Sequence, residues 1–120
     1  MGEGEIQVVR TLISLAQVRS IAEDTFGDLV KAVVDVEQGV MAVGGGMHAD
    51  EEAALLDLGS RQVDLWGINL YPAQYGTADW IEFDSMINLR PGQGNRTRTV
   101  EGAVLRDRIA RVVARLVTND

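Results

Sequence analysis

The sequence predicts an α+β domain: an antiparallel sheet of about five strands, two longer helices (N-terminal and C-terminal) packed on one face, and one short helix after a Gly-rich turn. Three observations lead there. Apolar residues recur alternately at strand and helix spacing, in the order strand, helix, hairpin, short helix, hairpin, helix. Neighbouring strands are joined by loops too short for a parallel crossover. The 120 residues, 46% apolar, suit a single domain, 1–120, with enough core to fold without staples.

The opening IQVVRT, residues 6–11, is β-branched and reads as a short strand. Ser14 and Gln17 form an S-x-x-Q capping box, so a helix starts there; Leu15, Val18, Ile21, Ala22 and Thr25 share a face, and Gly27 ends it. Residues 29–37 alternate with Val30, Ala32, Val34 and Val36 on one side. Gln38 and Gly39 supply a turn, and VMAV returns as the second arm of a hairpin. After Gly44–Gly46, Asp50 is the expected cap of a two-turn helix reaching Leu58, with Glu51 and Glu52 at its positive end. A second hairpin follows, with DLWGINLY as one arm and the alternating WIEFDSMINLR, residues 80–90, as the other, closed by Pro91. Thr99 can cap a last helix whose Leu105, Ile109, Val112, Val113 and Leu116 form a continuous stripe, with Arg108, Arg111 and Arg115 on another side. With both long helices on one sheet face, the other is left for solvent, a partner chain or a ligand.

Charge and composition narrow the function. The net charge of −7 disfavours nucleic acid as a partner. It is unevenly placed: residues 1–84 hold fifteen acids against Arg10, Arg19, Lys31 and Arg61, and residues 85–120 hold seven arginines against three acids. A local anion site therefore remains open. The absence of cysteine removes disulfides and thiolate chemistry. The apolar runs fall short of the roughly 20 residues a membrane span needs, and the acidic N-terminus is unlike a signal peptide. A soluble, cytoplasmic protein is the expectation.

Four stretches carry candidate chemistry. The alternation in 80–90 places Glu82, Asp84, Asn88 and Arg90 on one strand face, with Asn69 and Tyr71 of the partner arm opposite Asp84 and Glu82. Such a row can orient a polar ligand, place Glu82 or Asp84 as a catalytic base, or hold a cation; equally, water and cross-strand pairing can satisfy it. In GGGMHADEE, the acids repel an anion at the helix start, and His48 with Asp50 is the candidate metal pair, although a hydrogen-bonded histidine at a helix start explains the residue as well. The loop GQGNRTR offers Asn95, Arg96 and Arg98 for a phosphate or carboxylate, or for neutralising the acidic body. Trp66, Tyr71, Tyr75 and Trp80 gather on the second hairpin, as stacking platforms or as core. The arginines of the last helix suit its dipole and water. No nucleotide-cofactor motif is present, so no cofactor is named; a divalent metal is allowed by the donor set.

The strings DLWGIN, EFDSMIN and RP followed by the Asn-Arg loop resemble a family of small prokaryotic proteins described as a conserved domain of unknown function, over about residues 20–110. The resemblance implies a free-standing cytoplasmic protein and directs attention to Asp64, Asn69, Glu82, Asp84, Ser85, Asn88 and Arg96. It brings no catalytic residues, ligand or partner.

The reading is therefore a module that binds a small polar ligand or a protein partner through the polar face of the second hairpin: Asn69, Tyr71, Asn88, Arg90, Asn95 and Arg96. The alternative is a hydrolase-type enzyme using Glu82 or Asp84, or a metal at His48 and Asp50. Short strands with a single lysine leave the sheet edges little protected, which permits homo-oligomers.

Overall fold

The computed structural model describes residues 5–119. Its main sheet has the order β1-β4-β3-β5-β6, all antiparallel, with β1 at Gln7–Val9, β3 at Val30–Asp35, β4 at Val40–Val43, β5 at Leu65–Leu70 and β6 at Ile81–Glu82. Two further short strands, β2 (Ile13–Ser14) and β7 (Val117–Thr118), pair in parallel. Local loop lengths gave no sign of this pair, because nearly the whole chain lies between its strands.

Helix α1 spans Leu15–Asp24, and its capping box is complete: Gln17 N–H donates to Ser14 Oγ at 3.0 Å, and Ser14 N–H donates to Gln17 Oε1 at 2.9 Å. Helix α3, Ala103–Leu116, presents Ile109, Val112, Val113 and Leu116 to the core. Both pack on the face carrying Val30, Ala32, Val34, Met41, Val43, Ile68 and Leu70. Thr99 is not the cap of α3; Gly102 is, because Thr99 is held by an isolated bridge to Asp84.

The opposite face is not open, in contrast to the expectation. Helix α2, His48–Asp57, lies over β3 and β4, and its Leu55 packs with Val33, Val40, Ala42 and Leu65, against which Ile87 also rests. Strands β3 and β5 are thus covered on both sides, which accounts for apolar residues at both parities in VKAVVD and LWGINL. Asp50 is not the cap of α2 either. The helix begins three residues earlier than that cap would set, at His48, and its N-cap Met47 offers no side-chain bond.

The largest departure concerns residues 80–90. Only Ile81 and Glu82 pair with β5, and the register sets Asn69 opposite Glu82, not Asp84. The loop before them carries a 3-10 turn at Pro72–Gln74, and Tyr71 N–H donates to Trp80 O at 2.9 Å, so pairing begins with these two residues. After Asp84 the chain leaves the strand. Ser85 Oγ accepts from Ile87 N–H, a 3-10 turn forms at Met86–Asn88, and Arg90 bridges Asn95. The segment folds back over β5 as a flap and closes the sheet face that the alternation predicts to be open. Among the described residues no helix is long and apolar enough to cross a membrane.

Candidate functional site

Gly67 lets the flap close. A Cβ there would lie 2.6 Å from Ser85 Cβ and 2.7 Å from Ser85 Oγ, and 3.2 Å from His48 Cδ2, so only a glycine allows the flap and the start of α2 to meet above β5. Asn88, fully buried, then pairs with the Gly67 backbone as a strand residue would. Gly67 N–H donates to its Oδ1 at 2.8 Å, and its Nδ2 donates to Gly67 O at 2.9 Å and to Arg98 O at 3.2 Å.

The neighbouring residues of the flap are likewise occupied with the fold. Asn95 Nδ2 donates to the carbonyls of Asn88, Thr97 and Thr99, and its Oδ1 accepts from Glu101 N–H. Arg90 stacks on Trp66 at 4.5 Å, donates to the carbonyls of Ile87, Gln62 and Leu65, and lies 3.5 Å from Glu52. Burial lowers its guanidinium pKa, and Glu52 opposes the shift. Arg96 is exposed, with its backbone N–H on Glu101. The side chains of Asn88, Asn95 and Arg90 thus spend their polar groups on holding the flap.

A different set converges two residues along β5. The register places Lys31 of β3, Asn69 of β5 and Glu82 of β6 in one row, and strand alternation puts the row on the α2 side of the sheet. Above it lies a cavity of about 350 Å³, walled by Met47 and His48 from α2 and by Asp84, Ser85 and Met86 from the flap. Arg98 lies at its mouth, 3.1 Å from Asp84, with both side chains partly exposed.

Asn69 is 6% exposed, and its two amide ends differ. Nδ2 donates to Glu82 Oε1 at 2.9 Å and to Asp84 O at 3.3 Å, whereas buried Oδ1 meets no donor among the described residues. Its two acceptor partners fix the amide, since exchanging N and O would bring acceptors together. His48 also lies beside Asn69, but its Nε2 lies 2.8 Å from Ile68 O, and a proton on Nε2 is committed to that carbonyl. The ring also meets the Asn69 side chain, but a neutral ring whose proton sits on Nε2 has none left to donate there, and Oδ1 is without a hydrogen bond of normal geometry. Burial pushes the His48 pKa below its usual 6.5, against the pull of the Ile68 carbonyl, so the neutral ring prevails at pH 7.

Glu51 alters the charge reading of α2. It does not stand in solvent at the helix start; it is fully buried, with Oε2 accepting from Gly45 N–H at 2.9 Å and Oε1 without a partner. Burial pushes its carboxyl pKa up to about 9, so it is neutral at physiological pH and does not repel an anion from the helix start. Asp50 remains exposed. Because the helix already runs from His48, residues 48 and 50 are turned about 200° apart, and the pair does not converge on one ion. Among the described residues no three His, Asp or Glu side chains are grouped to hold a metal.

Tyr71 and Glu82 line a second, larger depression of about 630 Å³ beside β6, together with Asp79, Phe83, Asp84 and Arg106. Tyr71 Oη donates to Glu82 Oε1 at 3.2 Å, and burial followed by the Glu82 charge raises its pKa. Arg106 stacks on Phe83 and donates to Val100 O. The larger depression lacks a buried polar atom without a partner, whereas the smaller cavity is bordered by Asn69, whose buried Oδ1 has no donor among the described residues. Sequence reasoning reached Asn69, His48, Glu82 and Asp84 but passed over Lys31 and Glu51. The two parities of VKAVVD, with Lys31 the single charge inside a buried strand, are the signal for the first; nothing local distinguishes Glu51 from Glu52.

The model of a family described as protein of unknown function (DUF5674) matches residues 7–116, and the chain belongs to that family. Neither the curated proteins nor the solved structures contain a match to it.

Proposed function

We propose that this protein is a binding module for a small polar ligand, held in the cavity above Lys31 and Asn69, between the start of α2 and the flap. Supporting this most directly is Asn69 Oδ1, a buried acceptor without a donor. Leaving such a group unpaired costs about 1–3 kcal/mol, and a ligand N–H or O–H removes that cost. A volume of about 350 Å³ falls in the lower range of small-molecule sites. Here the site has moved from the strand face that the alternation suggested to a cleft beside it: Asn69 touches the ligand, Tyr71 and Glu82 hold Asn69 in place, and Asn88, Arg90 and Asn95 hold the wall. A cytoplasmic setting suits the cysteine-free, acidic chain.

The test is a panel of small metabolites, comprising amino acids, organic acids, sugars, nucleosides and inorganic phosphate, screened by thermal shift and followed by backbone-amide NMR. At least one compound should raise the melting temperature and move the signals of Lys31, His48 and Asn69, and Asn69→Ala should abolish both effects. If no compound moves those three signals, or if the shifts survive in Asn69→Ala, the reading falls.

A further inference from the structure

Resting on that reading, we infer that the ligand is a small zwitterion, a free amino acid with a short apolar side chain, bound with its carboxylate toward Lys31 and the start of α2 and its ammonium toward Asn69 Oδ1 and Asp84.

The polarity of the floor carries the argument. Along the row the order is a cation at Lys31, an open acceptor at Asn69 and an acid at Glu82, with neighbouring strands about 4.8 Å apart. Glu82 itself turns to the adjacent depression, but Asp84, two residues on, borders the cavity and supplies the negative end there. The open atom on Asn69 is an acceptor, so the group that meets it must be a donor, and an ammonium satisfies it while standing beside a carboxylate.

The opposite end favours an anion. The ten-residue helix α2 starts with no side-chain cap, and its N-cap Met47 and first residues His48 and Ala49 line the cavity. Glu51, which by sequence alone stands against an anion there, is buried away with Gly45. Lys31, whose Nζ lies 5.2 Å from the Phe26 ring centroid, borders the cavity, and its charge acts on His48 and Glu51 of the same helix start.

The balance of charge then limits the ligand. Lys31 and Arg98 face Asp84, with Glu82 just outside, so the surroundings have little net charge and do not suit a polyanion such as a nucleoside triphosphate. At the mouth, Met47 and Met86 are 59% and 63% exposed, a flexible apolar pair able to close on a short aliphatic side chain.

The experiment uses the full chain and isothermal titration with L-alanine, L-valine, L-leucine and L-methionine. For the tightest of these, one analogue lacking the amine and one lacking the carboxylate are added, and inorganic phosphate serves as an anion without an ammonium. Either truncated analogue should bind at least tenfold more weakly than the parent. Lys31→Met should weaken the amino acid and leave the carboxylate-free amine unchanged, because that amine lacks the group Lys31 meets. Should the variant fail to fold, the wild-type comparison of analogues still decides. The zwitterion assignment is overturned if an analogue binds as tightly as its parent, or if phosphate alone moves the pocket signals. It is also overturned if none of the four amino acids binds while another panel compound does; in these cases the pocket itself stands. Silence from the whole panel removes both.

Discussion

Two buried asparagines on the α2 side of the sheet, Asn88 and Asn69, face their surroundings differently. Asn88 is fully enclosed, and both ends of its amide meet backbone partners from β5 and the loop beyond. Asn69 is nearly as buried and lies two residues along β5 from the glycine that Asn88 grips, yet one end of its amide is left open. Residue type and burial are the same; completeness of hydrogen bonding differs. A closed polar network specifies a fold, and an open one costs stability unless something else completes it.

The comparison can be broken most directly at Asn88. Replacing it by Ala strips the buried N–H and C=O of Gly67 and the carbonyl of Arg98 of a partner, and should cost about 3 kcal/mol in urea unfolding. A loss below about 1 kcal/mol would mean that water reaches those groups and that the flap is not closed by Asn88.

The next effect is electrostatic and depends on pH. The Glu51 carboxyl has its folded pKa raised from 4.5 to about 9, so its contribution to stability is complete below 4.5 and is lost as pH rises toward 9, because the unfolded chain ionises first. Glu51→Gln removes that dependence and should make the protein more stable than wild type by about 2 kcal/mol at pH 8, with a smaller gain at pH 5. His48 works in the opposite direction. Its folded pKa is lowered, so stability falls as pH drops below 6.5, where the unfolded imidazole takes a proton that the folded one resists. Denaturation midpoints from pH 4 to 9 for wild type and Glu51→Gln measure both; parallel curves for the two proteins would mean that Glu51 is hydrated and charged.

Asn69→Ala sharpens the contrast with Asn88. It gives up a bond to exposed Glu82 and a long one to Asp84 O, but also removes an oxygen without a donor, so stability should change by less than about 1 kcal/mol. A cost as large as that of Asn88→Ala would place both residues in the closed class. The smallest effect belongs to Asp84→Ala: its ion pair with Arg98 is partly exposed at both ends, and apo stability should move by no more than about 0.5 kcal/mol while amino-acid binding weakens.

How much of this was legible follows from how local each signal is. The capping box at Ser14 and Gln17 and the apolar stripe of α3 depend on residues three and four apart, and both formed as read. The segment from Trp80 to Arg90 misled because alternating polarity does not reveal where a strand stops. Ser85 holds a turn by accepting from Ile87 N–H, and that choice depends on the glycine in β5 over which the turn must pass. The start of α2 misled for a related reason: Asp50 has the chemistry of a cap, but the helix was extended to His48, whose ring is buried against Ile68.

By itself, then, the sequence determined the α+β class, the first hairpin and the long helices on one side of the sheet, because capping, turn chemistry and apolar period act within a few residues. Only the tertiary structure decided that α2 and the flap cover the other side, that Glu51 is buried and neutral while Asp50 is exposed, and that Asn88 is satisfied while Asn69 is not. Those outcomes turn on desolvation and on partners contributed by distant strands. Two identical amides can therefore become a structural clamp and an open acceptor without any local difference between them.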